Sequence, residues 1–320
     1  MTMYLSLAAG LLVLTLAGDL LVRGAAGLAE RAGLSPLIIA LTVVSIGTSM
    51  PELFISVSAA LQGSPDIALG NVVGSNIANI LLVLGLPAIL YPIACSHRAL
   101  RLNTGVMIAA SGLLIAFCFM GPLTRGAGEI LLVALVAYLA WSTWDARRHP
   151  FSAIEQTAAS VTKIEHMPRL TIIGFILVGC IGLPIGAHLV VEGGTLMARS
   201  FGVSDAVIAL TLIAVGTSLP ELATSLMAAI RKHHDVAIGN VIGSNIVNIL
   251  AILGVTSYIM PLPVAPNFLR LDLWVMLLVA LAIVPTIITR GTITRVKGAV
   301  FVTAYVAYVY AIFHNAGEMI

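Results

Sequence analysis

The sequence predicts an all-α integral membrane protein of ten transmembrane helices, arranged as two inverted-topology repeats of five, with helices 2, 3, 7 and 8 broken. Three observations predict this architecture. The 320-residue chain is 59% hydrophobic and only 9% charged, with a mean hydropathy of +1.07. It carries ten apolar stretches long enough to cross a bilayer. A block of 41 residues occurs twice, 169 residues apart.

Composition decides the class. Soluble domains carry about 25% charged residues to cover their surface. The 16 basic and 14 acidic residues here cannot coat a globule of this size. A net charge of +2 excludes a nucleic-acid partner held by electrostatics, and no protein partner is implied. Cys95, Cys118 and Cys180 are an odd number without CxxC spacing. They make neither a disulfide framework nor a zinc site, and read as small packing residues.

A spanning helix needs about 20 predominantly apolar residues. The stretches that meet this lie at 4–22, 34–61, 67–91, 104–121, 127–144, 169–191, 203–230, 235–260, 271–289 and 297–314. No basic stretch precedes the first and no small-residue cleavage site follows it, so it reads as a retained span rather than a signal peptide. The second, third, seventh and eighth are longer than required and are punctuated by Gly, Pro, Ser and Asn. The polar connection 145–168 joins a first half, 1–144, to a second, 169–320, and is too short to fold as a domain.

Basic residues set the orientation. With the N-terminus outside, 13 of them fall on inner connections: Arg23, Arg31, Arg98, Arg101, Arg147, Arg148, Lys163, Arg169, Arg231, Lys232, Arg290, Arg295 and Lys297. Only Arg125, Arg199 and Arg270 stay outside. Both termini are therefore expected outside a plasma or inner membrane, with 145–168 cytoplasmic. Trp141, Trp144 and Trp274 stand at helix ends, where indoles anchor at the interface.

The repeated block runs from Ser45 to Gly85 and again from Ala214 to Gly254, ungapped, with 23 of 41 positions identical. Each copy starts in the second span of its half. Because five spans separate the copies, the second must thread the membrane in the opposite sense. Inverted repeats of this kind place their site near the midplane, on interrupted helices. A duplicated scaffold without a shared site does not explain why the most polar embedded stretches are the ones kept alike.

Those stretches hold the candidate site. Glu52 and Glu221 lie mid-span, each in a Gly-Thr-Ser-x-Pro-Glu-Leu element. A carboxylate there costs a few kcal/mol on insertion scales. No Lys or Arg occurs within 43–61 or 212–230 to pair with either, so the missing countercharge is expected to be a bound cation. Pro51 and Pro220, with Gly47 and Gly216, should break each span and free carbonyls at the C-terminal end of a half-helix, where the dipole favours cations. Thr48, Ser49, Thr217 and Ser218 add hydroxyls, for coordination or for capping the restarted helix.

The following spans add amides: Asn71, Ser75 and Asn79 form one stripe, and Asn240, Ser244 and Asn248 repeat it. Asn76 and Asn245 lie on a neighbouring face. Asn79 and Asn248 read as site-lining; for Asn71, Asn76, Asn240 and Asn245, bonding between helices is an equal alternative. An all-oxygen set suits hard cations, Ca²⁺ or Na⁺, rather than zinc or copper. Its charge of −2 would be neutralised by one Ca²⁺ or two Na⁺. Asp19 with Arg23, and His188 with Glu192, read as end-of-helix pairs with gating as an alternative; His233, His234 and Asp235 read as solvated.

The doubled Gly-Thr-Ser-x-Pro-Glu and Gly-Asn-Val-x-Gly-Ser-Asn-Ile-x-Asn motifs resemble the alpha-repeats of the calcium/cation antiporter superfamily, nearest the short prokaryotic sodium/calcium exchangers. The resemblance spans essentially the whole chain. It implies electrogenic antiport, several Na⁺ against one Ca²⁺, by alternating access and without a cofactor, with the first and sixth helices sliding across a fixed core. It assigns bridging carboxylates to Glu52 and Glu221, and backbone or hydroxyl oxygens to Ser45, Thr48, Ser49, Ala214, Thr217 and Ser218. Ser75 and Ser244 match serine ligands, and Asn79 and Asn248 match the amides of the middle site. Some members carry Asp where this chain has Asn248. Proton-coupled relatives tend to show Glu where this chain has Gly74 and Gly243. Coupling to H⁺ or K⁺ is the alternative within transport. An intramembrane enzyme using Glu52 and Glu221 as an acid/base pair is the alternative outside it, and no nucleophile–base constellation supports that.

Overall fold

The computed structural model describes residues 2–148, 167–201 and 214–317. Among them run α1 (Thr2–Ala32), α2 (Pro36–Thr48), α3 (Met50–Leu61), α4 (Pro65–Leu90), α5 (Arg98–Met120) and α6 (Arg125–Arg148). After the central connection come α7 (Arg169–Ser200), α8 (Leu219–Ile230), α9 (His234–Ile259), α10 (Phe268–Ile288) and α11 (Arg295–Gly317). Outside turns and short loops, the described residues are helical apart from two short strand pairings. Among the described residues, eight helices are long and apolar enough to cross a membrane, or nine if the bent pair α2–α3 is one span. The first part of the expected seventh span, 203–213, and most of the connection 145–168 lie outside the described residues.

Local sequence explains where the helices bend. Pro51 cannot donate to the carbonyl of Gly47, so the helix turns by 43° between α2 and α3. Ser49 sits at the joint with φ −85° and ψ 6°, and Ser218 takes nearly the same values, −87° and 3°, before α8. The third and eighth spans differ from expectation: neither is broken. Each is one helix that widens into a π turn at Asn79–Val83 and Asn248–Leu253. With no proline in the middle of these spans, the ladder stays continuous and absorbs one extra residue. Such turns recur at functional sites. The first span also runs ten residues past its apolar stretch, to Gly33 with φ +65°, because nothing before that glycine breaks it.

Small residues let the long helices close on one another. A side chain on Gly186 of α7 would meet Leu14 N of α1 at 2.8 Å, and one on Gly193 would meet Leu7 N at 2.7 Å. Gly10 of α1 returns the contact against Val190 N at 2.7 Å. The two halves also cross over. Gly128 of α6 packs on Gly254 O of α9, and Gly298 of α11 packs on Gly85 O of α4, at 2.7 and 2.6 Å for a Cβ placed there. Strands β1 (Ile93–Ala94) and β2 (Thr292–Ile293) pair antiparallel, and a single bridge joins Leu123 to Leu262.

The charged groups keep the Asp19–Arg23 pair and otherwise differ from expectation. Asp19 accepts from Arg231, at the end of α8, and only weakly meets Arg23, 3.9 Å away. Arg23 lies over the Phe175 ring. Glu192 accepts Ser6 Oγ at 3.4 Å rather than serving as a partner for His188. His233 is half-buried rather than solvated, and burial pushes its pKa down. All these partners lie far apart in sequence, on helices that only the packing brings together.

The α1–α7 seam has a direct test. Gly186→Val should lower the thermal unfolding temperature of the detergent-solubilised protein, since overpacking costs about 1–3 kcal/mol. Gly112→Val, which meets nothing within 4 Å, should leave it unchanged.

Candidate functional site

Glu52 and Glu221 each sit in the first turn of a helix, α3 and α8, with no exposed surface. A helix N-terminus favours negative charge. The break therefore does two things: it ends α2 with carbonyls and starts α3 with amides facing a carboxylate. The sequence anticipated the first effect and missed the second.

The surrounding polar groups come from both halves. Ser49 Oγ donates to Glu221 Oε1 at 3.2 Å, and the hydroxyls of Thr48 and Ser244 flank the same carboxylate. Thr48 Oγ1 also lies 3.3 Å from Asn240 Oδ1 and 3.4 Å from Ser244 Oγ, tying the end of α2 to α9. Ser45 spends its hydroxyl on the carbonyls of Leu41 and Thr42. Ser75 and Ser218 are buried, Thr217 is half-buried, and Ala214 opens a short helical turn ahead of Ser218.

Asn71 and Asn240 have structural work. Asn71 Nδ2 donates to the Glu52 carbonyl at 3.2 Å and to Ser56 Oγ at 3.0 Å. Asn240 Nδ2 donates to the Glu221 carbonyl at 3.3 Å and to Ser225 Oγ at 3.1 Å. Each amide thus pins the backbone of its glutamate. Ser56 and Ser225 escaped sequence reasoning, although they are identical in the two blocks and lie four residues after each glutamate.

One feature of the polar atoms indicates what the centre can hold. Among the described residues, Glu52 Oε1 and Oε2, Glu221 Oε2, Asn79 Oδ1, Asn248 Oδ1 and Ser218 Oγ are buried without a hydrogen-bond partner. Buried polar atoms are normally paired, and unpaired ones point to strain, function or an absent ion. Five of these six are carboxylate or amide oxygens, able only to accept in these charge states. Among the described residues neither glutamate has an ion-pair partner within 4 Å.

Fold and polar centre together define a multi-pass membrane protein with a buried all-oxygen centre. Residues 2–144 and 171–314 match the family described as sodium/calcium exchanger protein, and the chain belongs to that family. It is 33% identical to the sodium/calcium exchanger MaX1 of Methanosarcina acetivorans, over 97% of this chain and 98% of that one. It is 38% identical to the inner membrane protein YrbG of Escherichia coli K12, over 85% and 84%. Its fold is similar to that of the sodium-calcium exchanger NCX_Mj soaked with 2.5 mM Na⁺ and 0.1 mM Ca²⁺, with a TM-score of 0.81, 33% identity, and 96% and 97% of the two chains covered.

The pinning amides can be ranked. Asn240→Ala removes the buried amide that donates to both the Glu221 carbonyl and Ser225 Oγ, and should cost about 1–3 kcal/mol. Asn71→Ala, at a half-buried position, should cost less, as read from thermal melts of the two variants side by side.

Proposed function

We propose that this chain exchanges Na⁺ for Ca²⁺ across a cell membrane by alternating access, at a site built on Glu52 and Glu221. The observation that carries the reading is the set of buried carboxylate and amide oxygens without donors. Ca²⁺ takes six to eight oxygen ligands at about 2.3–2.6 Å. Asn79, Asn248, Thr48, Ser49, Thr217, Ser218, Ser75, Ser244 and the carbonyls of Ser45 and Ala214 complete the donor set around the two carboxylates.

Antiport follows from charge. Two carboxylates taken out of water cost several kcal/mol each unless compensated. One Ca²⁺ or two or more Na⁺ compensate them, and both ions need the same oxygens. The empty site keeps its −2 and resists passage between the two faces. Return therefore requires the other ion, which couples the fluxes. With three Na⁺ the loaded site carries +1, and with one Ca²⁺ it is neutral, so the cycle moves charge.

The finer architecture belongs to the same proposal: ten helices in two inverted repeats, 1–144 and 169–320, with both termini outside. Two pairings support it. The connections that carry Arg98 and Arg290 join through β1 and β2, and those expected on the opposite face join at Leu123 and Leu262. The tight α1–α7 seam suits a pair moving as one unit. Its contacts with the centre use small residues as well, since a Cβ on Gly47 would meet Cys180 Sγ at 2.5 Å and one on Gly18 would meet Ala223 O at 3.2 Å.

The test is ⁴⁵Ca²⁺ uptake into proteoliposomes under imposed Na⁺, K⁺ or H⁺ gradients. Only an Na⁺ gradient should drive uptake; uptake driven by H⁺ or K⁺ alone would overturn the coupling. Glu52→Gln and Glu221→Gln should each abolish uptake while leaving insertion intact, because a −1 site faces a divalent ion in a low dielectric. Transport near the wild-type rate in either variant would remove the site. An inside-negative potassium-diffusion potential should accelerate Ca²⁺ extrusion from the negative side, and indifference to voltage would indicate a charge-balanced cycle.

A further inference from the structure

Asn76 and Asn245 bond to neither glutamate, yet both are buried at the contact between α4 and α9. Their bonds form a closed reciprocal set. Asn76 Nδ2 donates to the Asn245 carbonyl at 3.4 Å, and Asn245 Nδ2 donates to the Asn76 carbonyl at 3.2 Å. Asn248 Nδ2 donates to Asn76 Oδ1, and Asn79 Nδ2 donates to Asn245 Oδ1, both at 3.0 Å. The sulfurs of Met276 and Met107 lie against the same two Nδ2 groups, at 3.7 and 3.6 Å.

This set fixes which way each amide points, by elimination from the backbone. A main-chain carbonyl only accepts, so Asn76 must turn its NH₂ toward Asn245 and its oxygen away. That oxygen also only accepts, so Asn248 must offer its NH₂ to it. The Asn248 oxygen is then left on the far side, buried and without a partner. The same chain of necessity runs from the Asn76 carbonyl through Asn245 to Asn79. The π turns that begin at Asn79 and Asn248 set these side chains at the helix contact.

We infer that Asn76 and Asn245 are positioning residues, which capture the NH₂ groups of Asn248 and Asn79 so that each amide presents oxygen, never nitrogen, to the transported ion. The inference rests on the proposed function, in which Asn79 and Asn248 are ligands. Free to turn, an amide would point a positively polarised NH₂ at a cation for part of the time. Because each captor sits on the opposite half from the amide it holds, the device also ties the orientation of one half's ligand to a side chain of the other half.

The experiment is a double-substitution cycle read as the Ca²⁺ concentration for half-maximal Na⁺-driven uptake in proteoliposomes. Asn76→Leu removes the captor, and the concentration should rise about 10-fold or more, as for other groups that orient ligands. Asn248→Asp replaces the amide by a carboxylate, which has oxygen on both sides and needs no orienting. In that background Asn76→Leu should produce no further rise. An equal rise in both backgrounds means a packing role and overturns the inference. Asn248→Ala separates the two levels: no change in half-saturation would show that Asn248 is not a ligand, which removes the site reading and the inference together. Should Asn76→Leu fail to accumulate in the membrane, the milder Asn76→Ala and the reciprocal set, Asn245→Ala with Asn79→Asp, pose the same question.

Discussion

Two carboxylates buried in the membrane interior, with no countercharge from the described residues, are the constraint on which the rest of this structure depends. Glu52 and Glu221 lie within electrostatic reach of each other, so each worsens the other's burial. The fold reduces that cost without cancelling it. Helix starts at Met50 and Leu219 aim their dipoles at the carboxylates, and Ser49 donates to Glu221. An Arg or Lys in the same place would satisfy the charge permanently and leave nothing for an ion to do. In the proposed cycle the deficit is what makes the protein wait for a cation.

The remaining polar residues divide their labour according to whether they donate or accept. Amide nitrogens are spent inside the protein: those of Asn71 and Asn240 hold backbone, and those of Asn248 and Asn79 are held by Asn76 and Asn245. Amide and carboxylate oxygens are left over at the centre. A low-dielectric interior makes each unpaired acceptor expensive, so a collection of them in one place is stable only if something regularly fills it.

Packing meets a different requirement. In a bilayer, apolar side chains gain little by leaving lipid, so helices associate through close backbone approach between small residues. The glycines of α1 and α7 provide this along their length, and Gly85 with Gly298 and Gly128 with Gly254 do so where each half crosses onto the other. Around the glutamates, α4 and α9 bring the two copies of the polar block into direct contact. The long pair lies against that centre through other small residues, Gly18 and Gly47 among them.

The sequence by itself determined the membrane class, the duplicated block and the two glutamates, because each follows from a local rule. A bilayer demands about 20 apolar residues per helix, and a mid-span Pro-Glu violates that demand wherever the helix goes. Pro51 fixed the 43° bend by a local rule too, since it has no N–H to donate, and Pro220 stands likewise in the first turn of α8. What only the tertiary structure decided concerns partners. Asp19 adds Arg231, 212 residues away, to Arg23 one turn along, because α1 and the end of α8 meet there. The third and eighth spans widen at Asn79 and Asn248 where sequence suggested a break. The four asparagines left open at 71, 76, 240 and 245 became holders of backbone and amides once the helix rotations were set. An amide carries a donor and an acceptor on one flat group, and composition cannot say which end is used. Only the neighbour across the helix contact, here a carbonyl that cannot donate, settles it.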